Sequence, residues 1–342
     1  MKSIVLRTLL TLVPLVLIVL IVFISPVSAQ TVTASIPVGS GPQDVAVNPV
    51  TNRIYVANSS SNTVSVIDGA TDSVVATIPV GINPIRVAVN PTTNRIYVTN
   101  WNVVSFPCCS TVSVIDGATN TVVATIPVGG HPWGLAVNPI TNLIYVANFI
   151  NVQVIDGATN TIATSFDGGS NENSAAVNPV TNRIYIGENN VFLRRVNVFN
   201  GADNSFIASV TLDGMPLRMG VNSLTNRIYV AKQHNNDYIS SNTLSVIDGA
   251  SNTAIATIPI GTGLQGVAAN PTTNHVFVAD PGTYSVAMVD GGTNAVLATI
   301  PVGSNPKGVA ANPLTNFVYV ANSYSNTVSV IDVSSLDQDE NQ

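Results

Sequence analysis

Charged residues are scarce in this 342-residue chain, where Asp, Glu, Lys and Arg together make up only 9% of the sequence. Strong helix formers such as Glu and Lys are therefore rare, which argues against the long helices of a doubly wound enzyme. The formal net charge is −6, and an acidic chain is a poor partner for nucleic acid. Val, Ala, Thr and Asn dominate instead, as expected for half-buried strands joined by polar turns.

Cysteine is also nearly absent, and the only two cysteines, Cys108 and Cys109, are adjacent in the chain. Neighbouring Cα atoms lie about 3.8 Å apart across a trans peptide, below the usual range for a disulfide, so a vicinal bridge would be strained. An exported chain would favour oxidation. A vicinal bridge, an intermolecular bridge and two thiols all remain open, and we expect the vicinal bridge.

What the chain does contain is a repeat, whose anchor is Asn-Pro (Asn-Ser in one copy), any residue, and then Thr-Asn. The seven anchors begin at Asn48, Asn90, Asn138, Asn178, Asn222, Asn270 and Asn312. Successive anchors lie 40 to 48 residues apart. This period, with short strand-like segments between turns, is typical of β-propeller blades and not of helical solenoids.

Each unit contains four strand-like runs, which in the first unit cover 44–48, 53–57, 63–67 and 73–80. Asn48 and Pro49 open a tight turn between the first two runs, because Pro presets φ and Asn accepts a local hydrogen bond. Asp68 and Gly69 stand between the last two, and we expect Gly69 to supply the positive φ of that hairpin. Four antiparallel strands joined by hairpins make one blade.

The two chain ends predict how the ring closes. Residues 31–39 read TVTASIPVG, which matches the fourth run of every unit, whereas the seventh unit stops after its third run at 327–332. We therefore predict an all-β, seven-bladed β-propeller of four-stranded antiparallel blades, with the N-terminal strand completing the last blade.

Proline placement predicts which strand is outermost, because a residue without an N–H is tolerated in a sheet only at its edge. The fourth runs contain Pro37, Pro79, Pro127, Pro259 and Pro301. The fourth strand should therefore form the outer edge of each blade.

A short motif within the second run carries a resemblance to a known family. The segment from Tyr97 to Asn100 spells YVTN, and YVAN begins at Tyr55, Tyr145 and Tyr319. Over about residues 31–333 the chain resembles the YVTN-family β-propellers, similar to archaeal and bacterial surface-layer and cell-surface propellers. The resemblance implies a secreted seven-bladed propeller, and it implies no catalytic residues.

The N-terminus predicts export. Lys2 and Arg7 precede an apolar run over 9–24, and the small residues at 27–29 form a cleavage site. We predict a signal peptide over 1–29, with an uncleaved anchor as the alternative, and a secreted or cell-surface location. The propeller should then span 30–333, followed by a disordered acidic tail at 334–342.

The loops that vary between units should share one face of a propeller, here called the variable face, because they follow the same strand ends in every blade. Aromatic and Arg side chains on such loops are the usual anchors of recognition. The residues predicted to bind there are Arg86, Trp101, Phe106, Cys108, Cys109, His131, Trp133, Arg218, His234, Tyr238 and Lys307.

The opposite face has its own recurring cation, directly after the Thr-Asn of the anchor in four units. These residues are Arg53, Arg95, Arg183 and Arg227. A ring of cations could bind acidic polymers, but other residues interrupt it, and a residue that recurs within a repeat is more simply one that holds its own turn.

The function predicted from the sequence is a non-catalytic recognition or scaffold module that binds a cell-envelope protein or glycan, touching the membrane only through an uncleaved N-terminus. No metal ligand spacing or nucleophile motif stands out, and no cofactor is predicted. The alternative is a channel-mouth enzyme of lactonase, lyase or quinoprotein-like type, for which His131, His234, Glu188 and Asp280 are the titratable groups on the variable face.

Overall fold

The computed structural model describes residues 30–102, 109–169, 171–190, 192–233 and 242–334. Within these ranges the chain forms 28 β-strands and no α-helix, and therefore no helix that could cross a membrane. The first fourteen strands are β1 (Val32–Pro37), β2 (Pro42–Asn48), β3 (Arg53–Asn58), β4 (Thr63–Asp68), β5 (Ser73–Pro79), β6 (Pro84–Asn90), β7 (Arg95–Asn100), β8 (Ser110–Asp116), β9 (Thr121–Gly129), β10 (Gly134–Asn138), β11 (Leu143–Ala147), β12 (Val152–Asp156), β13 (Thr161–Phe166) and β14 (Glu172–Asn178). The others are β15 (Arg183–Glu188), β16 (Arg195–Asn200), β17 (Phe206–Thr211), β18 (Met215–Asn222), β19 (Arg227–Gln233), β20 (Asn242–Asp248), β21 (Thr253–Gly261), β22 (Val267–Asn270), β23 (His275–Asp280), β24 (Ser285–Asp290), β25 (Val296–Pro301), β26 (Pro306–Ala311), β27 (Phe317–Asn322) and β28 (Thr327–Asp332).

These strands form seven four-stranded antiparallel sheets, one for each repeat, which is the predicted seven-bladed propeller. Strands β2, β6, β10, β14, β18, β22 and β26 are the first of their blades and surround the central channel. The fourth strands lie at the outer edge, as the prolines indicated. The predicted leader at 1–29 and the end of the tail lie outside the described residues, so the predicted boundaries stay predictions.

The ring closes as predicted. The seventh sheet has the order β1-β28-β27-β26, so the N-terminal strand completes the last blade. Val32 pairs with Ile331 and Pro37 pairs with Thr327 across the junction. Both ends of the propeller are thus held in one sheet, and the last blade has no missing strand.

The core lies between neighbouring blades. Tyr55, Val64 and Ile78 of the first blade pack against Val87 and Ile96 of the second, and similar clusters fill the other interfaces. The second and third strands are buried on both faces because each blade is covered by a neighbour on either side. Burial of both faces explains why these strands read as continuous apolar runs.

One prediction about the hairpins is wrong. Between the third and fourth strands, positive φ belongs to Asp72 (49°) in the first blade and Asn120 (55°) in the second. Gly69 instead allows two hairpins to pack closely, because a Cβ at this position would lie 2.6 Å from Oδ1 of Asn52. The Asn of the preceding hairpin thus fits beneath the Asp-Gly turn.

The same hairpin asparagines connect the blades. The Nδ2 group of Asn48 donates to Oδ1 of Asn94 in the next blade at 2.8 Å, and Asn312 donates to Asn52 at 2.9 Å to close the circle. The remaining donor–acceptor pairs are Asn90–Asn142, Asn138–Asn182, Asn178–Asn226, Asn222–Asn274 and Asn270–Asn316. Each blade is therefore hydrogen-bonded to the next through the repeat anchor, and we call this circle the asparagine belt.

Three of the four recurring arginines pair with an aspartate of their own blade, as the repeat indicated, whereas Arg183 lies opposite Asn200. Arg53 Nη1 lies 2.5 Å from Asp68 Oδ2, and Arg227 Nη1 lies 3.3 Å from Asp248 Oδ2. Arg95 pairs with Asp116 in the same way. These three cations are each matched by a carboxylate of the same blade, which disfavours a cationic binding ring on this face.

Candidate functional site at the channel mouth

The inner strands converge at one end of the channel, on the face where each fourth strand connects to the next blade. Strand register places one residue of each blade at the same level there. In blade order these residues are Asp44, Arg86, Gly134, Ser174, Arg218, Gly266 and Gly308. We call them the mouth ring.

Glycine allows neighbouring strands to touch in this ring. A Cβ on Gly308 would lie 2.6 Å from Cα of Asp44, and a Cβ on Gly266 would lie 2.5 Å from the carbonyl oxygen of Lys307. The strands consequently close around a cavity of about 150 Å³, which Asp44, Arg86 and Arg218 line together with mostly small or aliphatic residues.

Asp44 is held from two sides. The backbone N–H of Val87, in the next blade, donates to Asp44 Oδ2 at 3.2 Å, and Arg218 Nη1 lies 3.6 Å from the same oxygen. Arg86 donates through Nη1 to its neighbour's carbonyl, Ile85 O, at 3.0 Å. Arg218 therefore has a carboxylate partner, whereas this bond of Arg86 is made to a neutral oxygen.

The cations at the channel mouth repel one another. Burial, and then the charge of Arg218, hold the pKa of Arg86 well below its usual range, although Asp44 opposes the shift. Burial also lowers the pKa of Arg218, against the attraction of Asp44. The pKa of Lys307 is lowered by burial and by both arginines. Three cations thus share a poorly solvated space.

An anion would relieve this repulsion. Among the described residues that line the cavity, Asp44 is the only acid, so positive charge exceeds negative charge there. Arginine binds carboxylate and phosphate groups through paired N–H donors. A lysine with a lowered pKa can also accept a proton nearer to neutral pH than an ordinary lysine. The channel mouth therefore has the chemistry to bind a small anion and to transfer a proton.

The structure divides the predicted binding residues into two groups. Arg86, Arg218 and Lys307 meet at the channel mouth. Trp101, His131 and Trp133 form an aromatic cluster between the second and third blades. Cys109 is exposed. The other four predicted residues lie outside the described residues: Phe106, Cys108, His234 and Tyr238. Because Cys108 is one of them, the predicted vicinal bridge is untested.

The aromatic cluster is compact. The rings of Trp101 and Trp133 have centroids 4.7 Å apart, and His131 lies 5.3 Å from Trp101 in an edge-on arrangement. Phe149, which the sequence did not single out, lies 5.8 Å from His131. The variable face thus contains a continuous aromatic surface that borders the third blade.

Two carboxylates considered for catalysis are bound locally instead. Glu188 is fully buried and lies 2.5 Å from Nε of Arg195. Asp280 accepts from the N–H of Gly282 at 3.0 Å and from the hydroxyl of Thr283 at 2.9 Å. Within the described part of the chain, no three His, Cys, Asp or Glu side chains are grouped to hold a metal ion.

Sequence reasoning missed Asp44. The signal was present, because Asp44 occupies the position that holds Arg86 and Arg218 in other blades. The prediction weighed cations and aromatic residues and gave no weight to an acid in the same register. A comparison of all seven units at this position would have identified it.

Comparison with known proteins supports the fold only. No family model matches the chain, and no curated protein matches it, so membership of the YVTN family is not confirmed. Among solved structures, the chain is similar to "Kuenenia stuttgartiensis Hydrazine Synthase", with a TM-score of 0.76 and 20% sequence identity. The match covers 86% of this chain and 96% of that chain. A likeness at this identity shows the seven-bladed propeller fold and does not transfer a reaction.

The comparison corrects the functional prediction. The sequence predicted a non-catalytic recognition or scaffold module that binds through the variable face. This finding goes against that prediction, because the similar solved propeller is named as an enzyme, but it assigns no activity to this chain.

Proposed function

We propose that the chain is an enzyme that binds a small anionic substrate at the mouth of its central channel. The observation that carries this proposal is a cavity that Arg86 and Arg218 line, with a single acid, Asp44, in its described lining. Lys307 lies close enough to both arginines for their charges to lower its pKa. Three repelling cations are unfavourable in the unliganded protein, and a bound anion would compensate them. The similar solved structure is that of an enzyme, which supports only the enzymatic use of this fold.

The residues have separate roles in this proposal. Arg86 and Arg218 bind a carboxylate or phosphate group of the substrate through their guanidinium N–H groups. Asp44 orients Arg218, which it contacts at 3.6 Å. We assign Lys307 the exchange of a proton with the bound substrate, because it lies near both arginines, and their charges and burial lower its pKa.

Binding is the first test. Isothermal titration calorimetry of residues 30–342 with small carboxylates and phosphate esters should find a ligand whose affinity falls at least about tenfold in Arg218→Gln, since a charged hydrogen bond is lost. Arg227→Gln is the matched control, because this arginine pairs with Asp248 on the opposite face. Equal affinity of Arg218→Gln and the control for every bound anion would refute the site.

Catalysis is tested separately with Lys307→Met. Turnover of the bound anion should fall by about 10² or more, the usual contribution of a proton-transfer group, while affinity changes less than in Arg218→Gln. Unchanged turnover would remove the catalytic role of Lys307.

We also propose that the chain is an exported propeller of the YVTN type. The YVTN and YVAN segments and the apolar run at 9–24 support this proposal. In a bacterial host that carries the full gene, N-terminal sequencing of the exported protein should begin at Gln30. An intact Met1 in the membrane fraction would favour the uncleaved anchor instead.

A further inference from the structure

Exposed aliphatic side chains recur on the face opposite the variable face, here called the hairpin face. The third residue of the repeat anchor lies in the turn between the first two strands of each blade, and it is aliphatic in five blades. Its side chain is 65% to 72% exposed in all five. Because the first strands surround the channel, these residues surround its end on this face. We call them the aliphatic ring: Val50, Ile140, Val180, Leu224 and Leu314.

The turn itself does not require an aliphatic residue. The second and sixth blades have Thr92 and Thr272 at the same position. The N–H of Thr92 donates to Oδ1 of the anchor asparagine at 3.0 Å, and the N–H of Val50 donates to its own anchor asparagine at 3.1 Å. The turn is therefore the same with either residue type. Aliphatic residues exposed to this extent on one face are better explained by contact with an apolar partner.

The apolar surface continues over the outer rim of the hairpin face. Each fourth strand follows the turn after the third strand, so its first residues lie at this end of the blade. Val75 and Val123 are each 48% exposed there, and Phe206 is 60% exposed. The aliphatic ring is thus accompanied by exposed apolar groups at the blade edges.

The acids of this face are set back from its surface. The side chains of Asp68 and Asp116 are only 23% and 22% exposed, and each pairs with an arginine of its own blade. Each also accepts a backbone N–H bond at 2.8 Å, from Ala70 and Ala118 respectively. Both alanines are exposed, so these turns present methyl groups outward. An apolar partner can approach such turns without leaving their carboxylates unpaired.

We infer that the hairpin face lies on the surface of a lipid bilayer. The part of the chain before Gln30 contains the apolar run at 9–24. Val32 pairs with Ile331, the next-to-last residue of β28, and β28 ends at the hairpin face. The N-terminal segment therefore joins the propeller on the face that contains the aliphatic ring. An apolar segment inserted in the bilayer would turn that ring toward the lipid.

This orientation points the variable face and the channel mouth away from the bilayer, where a soluble substrate can enter. The inference does not depend on the anion site, because the aliphatic ring shares no residue with the mouth ring. Acids outnumber the four arginines in the turns of the hairpin face, so we expect it to prefer neutral lipid to anionic lipid. These acids are Asp68, Asp116, Asp156, Asp203, Asp248 and Asp290.

Vesicle flotation tests the inference. Residues 30–342 contain all 28 strands and lack the apolar run, which would itself insert into lipid. This protein should float with phosphatidylcholine vesicles. The triple variant Val50→Thr, Leu224→Thr and Leu314→Thr should partition into the vesicles at least about tenfold less, because it removes apolar groups from the contact. Threonine is native at this position in two blades, so the variant should fold, which circular dichroism can verify.

A matched control places the same change on the variable face. Ile150→Thr, Phe192→Thr and Tyr324→Thr remove apolar side chains that are at least 74% exposed there, and this variant should float like the wild type. Absence of the wild type from the vesicles, or equal loss in both triple variants, would overturn the inference. Tighter binding as phosphatidylglycerol is added would also overturn it. Sedimentation that shows a wild-type dimer and a monomeric Val50, Leu224 and Leu314 variant would assign the face to a second copy instead.

Discussion

At the residue scale, one buried position shows how a repeat acquires individual chemistry. The residue three positions after the central Tyr or Phe of the second strand is Asn in four blades and carries a charge in the other three. In blade order the residues are Asn58, Asn100, Asn148, Glu188, Lys232, Asp280 and Asn322. Each charged side chain has its own local partner: Arg195 for Glu188, Asp213 for Lys232, and backbone and hydroxyl donors for Asp280. The backbone is repeated, whereas the hydrogen bonds at this position are not.

The Glu188–Arg195 ion pair should stabilise the folded protein more than the exposed Arg–Asp pairs of the turns do. Arg195→Leu leaves a fully buried carboxylate without its cation, so the free energy of unfolding should fall by about 3 kcal/mol. Arg53→Leu breaks a more exposed pair and should cost about 1 kcal/mol or less. Urea denaturation of both variants measures the difference, and equal losses would contradict this ranking.

The turn aspartates predict how stability depends on pH. Arg95 and the N–H of Ala118 lower the pKa of Asp116 in the folded protein. A carboxyl group with a lowered folded pKa stabilises the protein above its unfolded pKa of about 3.9, and this stabilisation disappears as the pH falls through the folded value. The melting temperature of Asp116→Asn should therefore fall less than that of the wild type as the pH is lowered from about 5 to about 2. Parallel curves for variant and wild type would contradict the assignment.

At the element scale, strand β1 closes the ring, because this N-terminal strand pairs with β28 in the last blade. Its pairing with β28 puts Ile36 into the core of the last blade, where the side chain is 4% exposed. Deletion of residues 30–40 should lower the melting temperature by roughly 10 °C or more, because one blade would lose its outer strand. Deletion of 335–342 is the control and should leave the melt unchanged. Equal melting temperatures of the two truncated proteins would contradict ring closure by β1.

Strands and their order were predictable because turn residues and apolar runs recur in register. The proline positions identified the outer strand, and the chain ends identified the closing one. The role of Gly69 was not predictable, since its constraint is the Oδ1 atom of Asn52 from a different hairpin. Local pattern gives the turn, but not the packing of one turn on another.

At the scale of the whole molecule, the asparagine belt connects all seven blades through one side-chain bond per interface. Asn312 is fully buried and donates to Asn52 across the point where the ring closes. Asn312→Ala should lower the free energy of unfolding by about 1–3 kcal/mol, because it removes a buried hydrogen bond between blades. Urea denaturation measures this loss. A variant as stable as the wild type would show that the belt contributes nothing to closure.

The candidate site also exists only at this scale. Asp44, Arg86, Arg218 and Lys307 come from the first, second, fifth and seventh blades, and only the closed ring brings them together. The sequence identified the three cations as departures from the repeat. It could not indicate that they meet, because no spacing along the chain encodes a distance across the channel.

The most direct test of this account is a crystal structure of the protein with its best-binding anion. The account predicts the anion within hydrogen-bond distance of the guanidinium groups of Arg86 and Arg218 at the channel mouth. An anion bound elsewhere, with only water between these arginines, would contradict the proposed site.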